Sequence, residues 1–365
     1  MTPEAVRRVL VVKLRYIGDV LLCTPVFRGL REAFPRASIC ALVNAGTEAV
    51  LQHHPDVDEV LLVNRPDAKV WAGGRYWADQ FRLVRRLREH RFDLALDLTD
   101  GDRAAFLTWA SGARLRVGYN REGRLRGRAY HRVVPVGSGS RHAVVANLEA
   151  LRVLGLPGRA VAPSLGLPSA AEAAAGDLLT RKGAARDRDR VLIHPGARWW
   201  FKAWPTERFA ALADGIAEEV GAEVIIGGGP GDMAAAEAIR SRMRRPAIYL
   251  AGETSVLQLA AVLKHCRLFV GNDNGPMHIA AAVRTPVVAL FGPTDPAEWG
   301  PWGEGHVVLY KGVDCRECWR RGTCWRGEEN CLRQITVDEA MVAVRRAWTR
   351  EKETGCRSMS STYTG

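Results

Sequence analysis

Residues 9–34 read VLVVKLRYIGDVLLCTPVFRGLREAF, and this stretch decides the fold class. It opens with an apolar run, Val9–Val12, that has the composition of a buried strand. A loop containing Gly18 follows, and residues 21–34 carry apolar side chains at helical spacing until Pro35 ends the pattern. Strand, loop and helix in this order predict the first unit of a parallel α/β sheet.

The same alternation continues along the chain. Further strands are predicted at residues 38–43, 60–63, 94–98, 191–193, 223–226, 247–250, 268–270 and 287–291. Helices are predicted at residues 81–90, 205–220, 232–243, 256–265, 279–283 and 337–350. Strands that alternate with helices predict parallel sheets covered by helices on both faces.

The alternation restarts after Pro168, which predicts two domains in a chain of 365 residues. We place a Rossmann-like domain at residues 1–160, a second at 169–336, a C-terminal helix at 337–350 and a disordered tail at 351–365. The linker between the domains, residues 157–168, holds three prolines. Two doubly wound domains imply a cleft, with ligands beyond the carboxyl ends of the strands.

Basic residues outnumber acidic ones. The chain carries 52 lysines and arginines against 40 aspartates and glutamates, a formal net charge of +12. This surplus favours an anionic partner: nucleic acid, an acidic membrane surface or a phosphorylated substrate. No segment resembles a signal peptide, and no stretch approaches the ~20 apolar residues that span a bilayer. We therefore expect a cytoplasmic protein that can touch a membrane from that side.

Two glycine-containing loops follow strands in the second half. Residues 227–232 read GGGPGD and residues 271–278 read GNDNGPMH, and each precedes a predicted helix. Glycine lets a ligand approach the backbone closely, and the N–H groups of a helix start suit a diphosphate. A tight turn with an Asn or Asp cap is the alternative for residues 271–278, and that segment alone favours it.

Two charged residues in strand-end loops are candidates for chemistry. Lys202 lies in residues 194–205, HPGARWWFKAWP, among three tryptophans. Its cation can neutralise charge on a leaving phosphate, or it can extend across the tryptophans to water. Asp19 is either a general base or the N-cap of a helix that begins at Val20; spacing alone favours the cap. The two roles are compatible, because a helix N-terminus keeps a carboxylate ionised.

Arginines crowd residues 114–132, with Glu122 as the only acid between them. They are Arg114, Arg116, Arg121, Arg124, Arg126, Arg128 and Arg132. This cluster of arginines predicts a mobile loop that binds an anion. A solvated basic loop is the alternative. The aromatic residues here, Tyr119 and Tyr130, are few for stacking on nucleic acid.

Eight cysteines in so long a chain do not indicate a disulfide framework. Four of them, Cys315, Cys318, Cys324 and Cys331, have the spacing C-x2-C-x5-C-x6-C. Four thiolates can bind zinc, but this spacing matches none of the common zinc pairs. Buried thiols without a metal are therefore the favoured interpretation.

Five motifs, in order along the chain, resemble those of glycosyltransferase family 9, the ADP-heptose:lipopolysaccharide heptosyltransferases. They are VVKLRYIGDVLLCTP (11–25), HPG…KAWP (194–205), GGPGD (228–232), NDNGPMHIAAA (272–282) and LFGPTDP (290–296). The cysteine stretch also resembles one seen in some members. The resemblance implies a GT-B fold, in which two Rossmann-like domains face each other across a cleft. The first domain would bind the acceptor and the second the nucleotide-sugar, in an inverting transfer with no cofactor and no metal.

The same resemblance assigns residues to the site. Asp19 matches the catalytic base, and Lys202 matches the lysine that binds the donor diphosphate and steadies the departing ADP. Further donor contacts are expected from Gly228, Gly229, Asp232, Asp273, Asn274, Gly275, Pro276, Met277 and His278. Asn274 stands where many members have Thr. Acceptor contacts are expected from Arg114, Arg116, Arg121 and Arg124.

The implied partners are an ADP-heptose donor, a lipid A–Kdo-type core acceptor and the anionic surface of the inner membrane, with no nucleic acid. A protein on the inner face of that membrane fits the net charge of +12. The form KLRYIGD at 13–19 looks closest to members that add a later, branching heptose.

Two alternatives to this function stay open. One is another GT-B enzyme acting on a nucleotide-sugar, such as a non-hydrolysing epimerase; the other is a non-enzymatic basic module that binds acidic lipid or nucleic acid.

Overall fold

The protein is built on two parallel sheets. The computed structural model describes residues 6–64, 74–135, 140–185, 187–312, 318 and 322–360. The chain divides into two compact units, Met1–Gly166 and Leu167–Gly365. Each unit holds one six-stranded sheet with helices between successive strands, which confirms the α/β class. Within the described ranges, no helix is long and apolar enough to cross a membrane.

The first unit has a sheet of order β3-β2-β1-β4-β5-β6. Its strands are β1 (Arg8–Lys13), β2 (Ser38–Asn44), β3 (Glu59–Val63), β4 (Leu94–Asp97), β5 (Leu115–Tyr119) and β6 (Arg132–Val134). Its helices are α1 (Ile17–Leu21), α2 (Thr24–Ala33), α3 (Gly74–Glu89), α4 (Asp102–Ala110) and α5 (Ala143–Arg152). Short 3₁₀ helices cover Glu48–Val50 and Leu125–Ala129. The strand order reverses between β1 and β4, so the loops that follow these two strands leave the sheet in opposite directions.

The second unit repeats this topology, with the order β12-β11-β10-β7-β8-β9. Its strands are β7 (Arg190–His194), β8 (Glu223–Ile226), β9 (Ile248–Tyr249), β10 (Leu268–Asn272), β11 (Val287–Phe291) and β12 (Val307–Tyr310). Its helices are α6 (Ser169–Arg181), α7 (Thr206–Gly215), α8 (Met233–Arg240), α9 (Val256–Lys264), α10 (Gly275–Ala282), α11 (Pro296–Trp299) and α12 (Val337–Ser360). Here the order reverses between β7 and β10.

The central strands are apolar along their whole length because helices cover both faces of each sheet. In the first unit, Leu10 and Val12 of β1 pack with Leu42 of β2 and with Leu107 of α4. In the second unit, side chains of α12 such as Val344 complete the core beside β10 and β11. Continuous apolar runs in the sequence therefore mark the strands at the centre of each sheet.

Several elements differ from the sequence-based expectations. The first helix begins at Ile17 rather than at residue 20 or 21, and it breaks before α2 starts at Thr24. The predictions missed α4, α5, α6, β6 and β12, and also β5, whose sequence LRVGY carries an arginine and a glycine. The last helix was expected to end at residue 350 but continues to Ser360, so the expected disordered tail begins inside it. Residues 361–365 lie outside the described residues.

We expect Leu10→Ala to lower the free energy of unfolding of the first unit by about 2–5 kcal/mol, because a fully buried side chain leaves a cavity. Leu62→Ala is the matched control, since this leucine of β3 is 44% exposed. It should change the same quantity by about 0.5 kcal/mol or less. Chemical denaturation of both variants measures the difference, and equal losses would contradict the position of β1 at the centre of the sheet.

Candidate active site

The loops after β7 and β10 begin side by side where the strand order of the second sheet reverses. Asn272, the last residue of β10, is fully buried and joins them. Its Nδ2 donates to the carbonyl oxygen of Pro195 at 2.7 Å, and its Oδ1 accepts from the backbone N–H of Trp204 at 3.1 Å. One amide side chain therefore fixes both ends of the loop that carries Lys202.

Lys202 is buried at this point of the sheet and paired with an acid. It ends a short 3₁₀ helix, Trp200–Lys202, beside the buried Phe201. Its Nζ donates to Oδ2 of Asp273, and Oγ1 of Thr294 donates to the same oxygen at 2.5 Å. The alternative in which Lys202 extends across the tryptophans to water is therefore wrong. The pair places a charged ammonium group at the carboxyl ends of the strands, where an anionic group of a ligand could bind to it.

The turn from Asp273 to His278 is an N-capped helix start. Oδ1 of Asn274 accepts from the backbone N–H of Met277 at 3.0 Å, so the cap interpretation is confirmed. Its Nδ2 donates to the carbonyl oxygen of Gly196 at 2.8 Å. Pro276 has no N–H, and that of Met277 is taken by the cap. Two of the first four backbone positions of α10 therefore offer no N–H to a diphosphate.

Asp232 packs against the same region from the glycine loop after β8. Its Oδ2 accepts from the backbone N–H of Gly229 at 2.9 Å and lies 3.9 Å from Nε2 of His194. Burial lowers the pKa of His194, and its Nδ1 accepts from the N–H of Gly196 at 3.2 Å, so Nε2 carries the proton that faces Asp232. A Cβ at Gly196 would lie 2.5 Å from the Asp232 carboxylate, so a larger residue there would require that side chain to move.

In the first unit, Asp19 lies in the helix that follows β1, beside the reversal between β1 and β4. It is the third residue of α1, and its Oδ2 accepts from the backbone N–H of Tyr16 at 3.3 Å. Tyr16 is the N-cap, so the expectation that Asp19 caps a helix beginning at Val20 is wrong. The carboxylate is partly exposed and lies in the first turn of α1.

Two buried ionisable groups accompany Asp19. Lys13 ends β1, and its Nζ donates to the carbonyl oxygen of Leu98 at 2.8 Å and to Oδ1 of Asn147 at 3.2 Å. Burial lowers the pKa of Lys13, and the charge of Asp19 is the largest effect in the opposite direction. Asp97 ends the adjacent strand β4, and burial raises its pKa to about 6. Its carboxylate accepts from the Tyr130 hydroxyl at 2.6 Å.

The arginine-rich segment is ordered by acids from other parts of the first unit. It forms β5, the 3₁₀ helix Leu125–Ala129 and β6, rather than one loop. Arg121 pairs with Asp100 at 3.7 Å, and Arg124 pairs with Glu122 at 2.6 Å. Arg126 is nearly buried among Asp100, Asp102 and Glu122 at 2.8, 3.0 and 3.2 Å.

The four arginines expected to contact one acceptor lie at two ends of β5. Arg114 and Arg116 are at its amino end, where Arg114 pairs with Asp93 at 3.7 Å and Arg116 donates to the carbonyl oxygen of Ala129 at 2.7 Å. Arg121 and Arg124 follow its carboxyl end. All strands of this sheet are parallel, so only the second pair shares an edge of the sheet with Asp19. The expectation that all four grip one anion is therefore wrong for Arg114 and Arg116.

Comparison with known proteins assigns the chain to a family. The family described as Glycosyltransferase family 9 (heptosyltransferase) matches residues 80–326. The chain is also 31% identical over 310 residues to lipopolysaccharide heptosyltransferase 3 of Escherichia coli, which covers 83% of this chain and 88% of that protein. The chain belongs to glycosyltransferase family 9. It is therefore an enzyme, and the alternative of a non-enzymatic basic module is wrong.

Solved structures agree with this assignment at the level of the fold. The glycosyl transferase family 9 from Veillonella parvula DSM 2008 has a TM-score of 0.81 and 24% identity, over 96% of this chain and 99% of that one. E. coli heptosyltransferase WaaC with ADP-2-deoxy-2-fluoro heptose has a TM-score of 0.70 and 22% identity, over 93% and 99%. The GT-B class, with two Rossmann-like units, is confirmed for this family 9 glycosyltransferase.

The cysteine stretch of this glycosyltransferase is only partly described. Cys315 lies outside the described residues, Cys318 is buried, and Cys324 and Cys331 are half-buried. Burial, with the neighbouring Cys318 and Cys324, raises the pKa of Cys331 to about 11.

Elsewhere in the described ranges, one group of side chains has its possible metal-ligand atoms within 4.8 Å of one another: Cys40, Glu59 and His90. Glu59 is the first residue of β3, and its Oε1 pairs with Arg86 at 2.7 Å. Its Oε2 accepts from the Cys40 thiol at 3.6 Å. This group lies toward the amino ends of β2 and β3, the edge opposite to Asp19. Ion pairing and hydrogen bonding account for these three side chains without a ligand.

Three residues of the site were not singled out from the sequence: His194, Asn272 and Thr294. Each lies at or just after the carboxyl end of a strand: β7, β10 and β11, respectively. Position at a strand end was the signal that could have identified them, because ligands of such sheets bind there. Their types gave little indication, since a buried histidine, amide or hydroxyl usually serves the fold alone.

We expect Lys202→Met and Asp273→Asn each to lower the free energy of unfolding of the second unit by about 3–5 kcal/mol. Each change leaves the other group of a buried ion pair without its partner. The double variant should lose less than the sum, with a coupling of about 1 kcal/mol or more. Lys264→Met is the control, because Lys264 pairs with Glu172 at the surface and should contribute at most about 1 kcal/mol. Strict additivity in chemical denaturation would rule out the pair.

Proposed function

We propose that this glycosyltransferase transfers a heptose from ADP-heptose to a lipopolysaccharide inner-core acceptor, with inversion at the anomeric carbon. The observation that carries the proposal is the buried Lys202–Asp273–Thr294 cluster at the strand reversal of the second unit, in a chain of family 9. The relative from E. coli is named a lipopolysaccharide heptosyltransferase, and the WaaC structure holds an ADP-heptose analogue, which supports the same donor class here.

The second unit would bind the donor. Lys202 binds the diphosphate, and Asp273, held by the Thr294 hydroxyl, orients the ammonium group towards it. The backbone of Gly228, Gly229 and Gly275 allows close approach of the phosphates and ribose. Asp232 contacts the ribose or the adenine. Asn274, Pro276, Met277 and His278 shape the turn, with Asn274 as its cap.

Asp19 of the first unit would act as the general base. It accepts the proton of an acceptor hydroxyl as that oxygen forms a bond to the anomeric carbon of the heptose. The bond from this carbon to the diphosphate oxygen breaks, and ADP leaves with the bonding electron pair. Lys202 stabilises the negative charge that develops on the leaving diphosphate, so the stabilising cation is a side chain of the protein.

The acceptor is amphiphilic, and we propose that the protein reaches it from the cytoplasmic face of the inner membrane. Of the four arginines expected to contact the acceptor, Arg121 and Arg124 share an edge with Asp19, and their guanidinium groups suit the anionic sugars of a lipid A–Kdo-type core. The net charge of +12 supports association with an anionic membrane surface.

We expect Asp19→Asn to lower kcat by about two to four decades while ADP-heptose binds with unchanged affinity, because the amide cannot accept the proton. Asp177→Asn, an exposed aspartate of α6, is the matched control and should keep full turnover. Transfer from radiolabelled ADP-heptose measures kcat, and calorimetry measures donor affinity. Normal turnover of Asp19→Asn would remove this residue from the base role.

A thermal-shift screen of nucleotide-sugars tests the donor. ADP-heptose at about 100 times its Kd should stabilise the protein by about 2.7 kcal/mol, whereas UDP- and GDP-sugars should give no shift. Lys202→Met should abolish most of the ADP-heptose shift, because the diphosphate loses its cation. An equal shift with a UDP-sugar, or none with any nucleotide-sugar, would contradict the donor assignment.

A further inference from the structure

The first unit carries large apolar side chains on its outer surface, along the helices that cover one face of the sheet. Trp77 and Phe81 of α3 are 61% and 71% exposed, and Phe106 and Trp109 of α4 are 53% and 52% exposed. Leu125, in the 3₁₀ helix beside α4, is 77% exposed. We call these five residues the α3–α4 face. A soluble monomer rarely exposes so many large apolar side chains together, so the face indicates a binding surface.

The packing of α3 and α4 makes these side chains one surface. Both helices lie on the same face of the sheet, with Leu87 of α3 and Leu107 of α4 in one core cluster. Arg103 of α4 donates to Oε1 of Gln80 in α3 at 3.2 Å. Trp77 and Phe81 are four residues apart and therefore share the outer side of α3. The rings of Phe106 and Trp109 lie 6.1 Å apart on α4.

Arginines flank the α3–α4 face, each beside an exposed acid. Helix α3 contains five arginines against two acids. Arg82 and Arg85 lie next to Trp77 and Phe81 on α3. Their ion-pair partners, Asp79 and Glu89, are on the same helix and also exposed. Exposed pairs of this kind contribute little, so the guanidinium groups can turn to other anions at low cost. Arg124, beside Leu125, adds a further exposed cation.

We propose that the α3–α4 face docks on an anionic phospholipid bilayer. Exposed tryptophan and phenylalanine next to arginine is the composition of surfaces that insert shallowly into the headgroup region. The aromatic rings bury apolar area there, and the arginines pair with lipid phosphates. A membrane can engage both the aromatic rings and the arginines beside them, whereas a purely apolar partner would engage the rings alone.

The proposal rests on the proposed function and deepens it, because it names the surface through which the enzyme reaches a lipid-linked acceptor. The carboxyl ends of β3 and β4 lead towards α3 and α4, respectively, so the face borders the edge of the sheet where Asp19 lies. Docking by this face would hold that edge near the membrane plane.

Sedimentation with vesicles tests the surface directly. The full chain is mixed with vesicles of phosphatidylglycerol and phosphatidylcholine, or of phosphatidylcholine alone. We expect the F81S/F106S variant to bind the anionic vesicles at least about tenfold more weakly than the wild type, because two rings no longer insert. Trp325→Ser is the matched control, since Trp325 is a 63% exposed aromatic of the second unit, and it should bind as the wild type does.

Charge is tested separately. Arg82→Gln and Arg85→Gln should each weaken binding to the anionic vesicles about fivefold, and the loss should shrink as salt is raised. Equal binding of F81S/F106S, Trp325→Ser and the wild type would overturn the proposal. It would also be overturned if F81S/F106S converted a dimer into a monomer in sedimentation equilibrium without changing vesicle binding, because a second copy of the chain would then be the occupant.

Activity separates this proposal from the proposed function. F81S/F106S should keep wild-type turnover on a water-soluble acceptor sugar released from its lipid, and lose turnover about tenfold on the same acceptor embedded in anionic vesicles. If the wild type transfers no heptose to the soluble acceptor, the proposed function fails while the vesicle-binding result still decides the docking surface. If the variant loses both activities equally, the face acts on folding or catalysis and the docking proposal is wrong.

Discussion

The parallel pairing of β10 with β7 is the constraint on which the site of the second unit depends. In register, Gly271 lies beside His194, so the two strands end together. The chain leaves β7 towards β8 and leaves β10 towards β11, and the two loops diverge over the sheet edge. Asn272 bridges them through its buried amide, and Lys202 and Asp273 meet there. The first unit repeats the arrangement at β1 and β4, where Val12 lies beside Asp97.

Buried charge collects at both reversals, and each charged group has a partner. Removing an ammonium or a carboxylate from water costs several kcal/mol, which only close partners offset. Lys202 forms an ion pair with Asp273, while Lys13 donates hydrogen bonds to the carbonyl oxygen of Leu98 and the amide oxygen of Asn147. Asp97 has the Tyr130 hydroxyl, and its raised pKa of about 6 reflects burial that these bonds do not fully offset. Such groups are held in one geometry before any ligand arrives, which is what electrostatic catalysis requires.

Acids distant in sequence change the interpretation of the arginine-rich segment, because they pair with its arginines. Between residues 114 and 132 the only acid is Glu122, so the sequence of this segment alone predicts unpaired arginines that can bind an anion. In the fold, Asp93 and Asp100 come from the loops that flank β4, Asp102 comes from the start of α4, and the three neutralise much of this charge. Arg126 becomes the nearly buried centre of an ion-pair cluster. Arg82 and Arg85 of α3, in contrast, have only weak partners on their own helix and lie beside exposed aromatic rings.

The sequence by itself determined the fold class and most strands, because strands buried on both faces must be apolar throughout and are visible as runs such as Val287–Phe291. It also identified Lys202 and the Asp273–His278 turn as parts of one motif set. It could not identify β5, where an arginine and a glycine interrupt the pattern, nor the roles of Asn272 and Thr294, which depend on contacts 68 and 21 residues away. Only the tertiary structure decided that Lys202 is buried in an ion pair, and that Arg114 and Arg116 lie at the opposite edge from Asp19. The physical reason is that periodicity records which face of an element is buried, whereas pairing of charges depends on which strand ends the topology brings together.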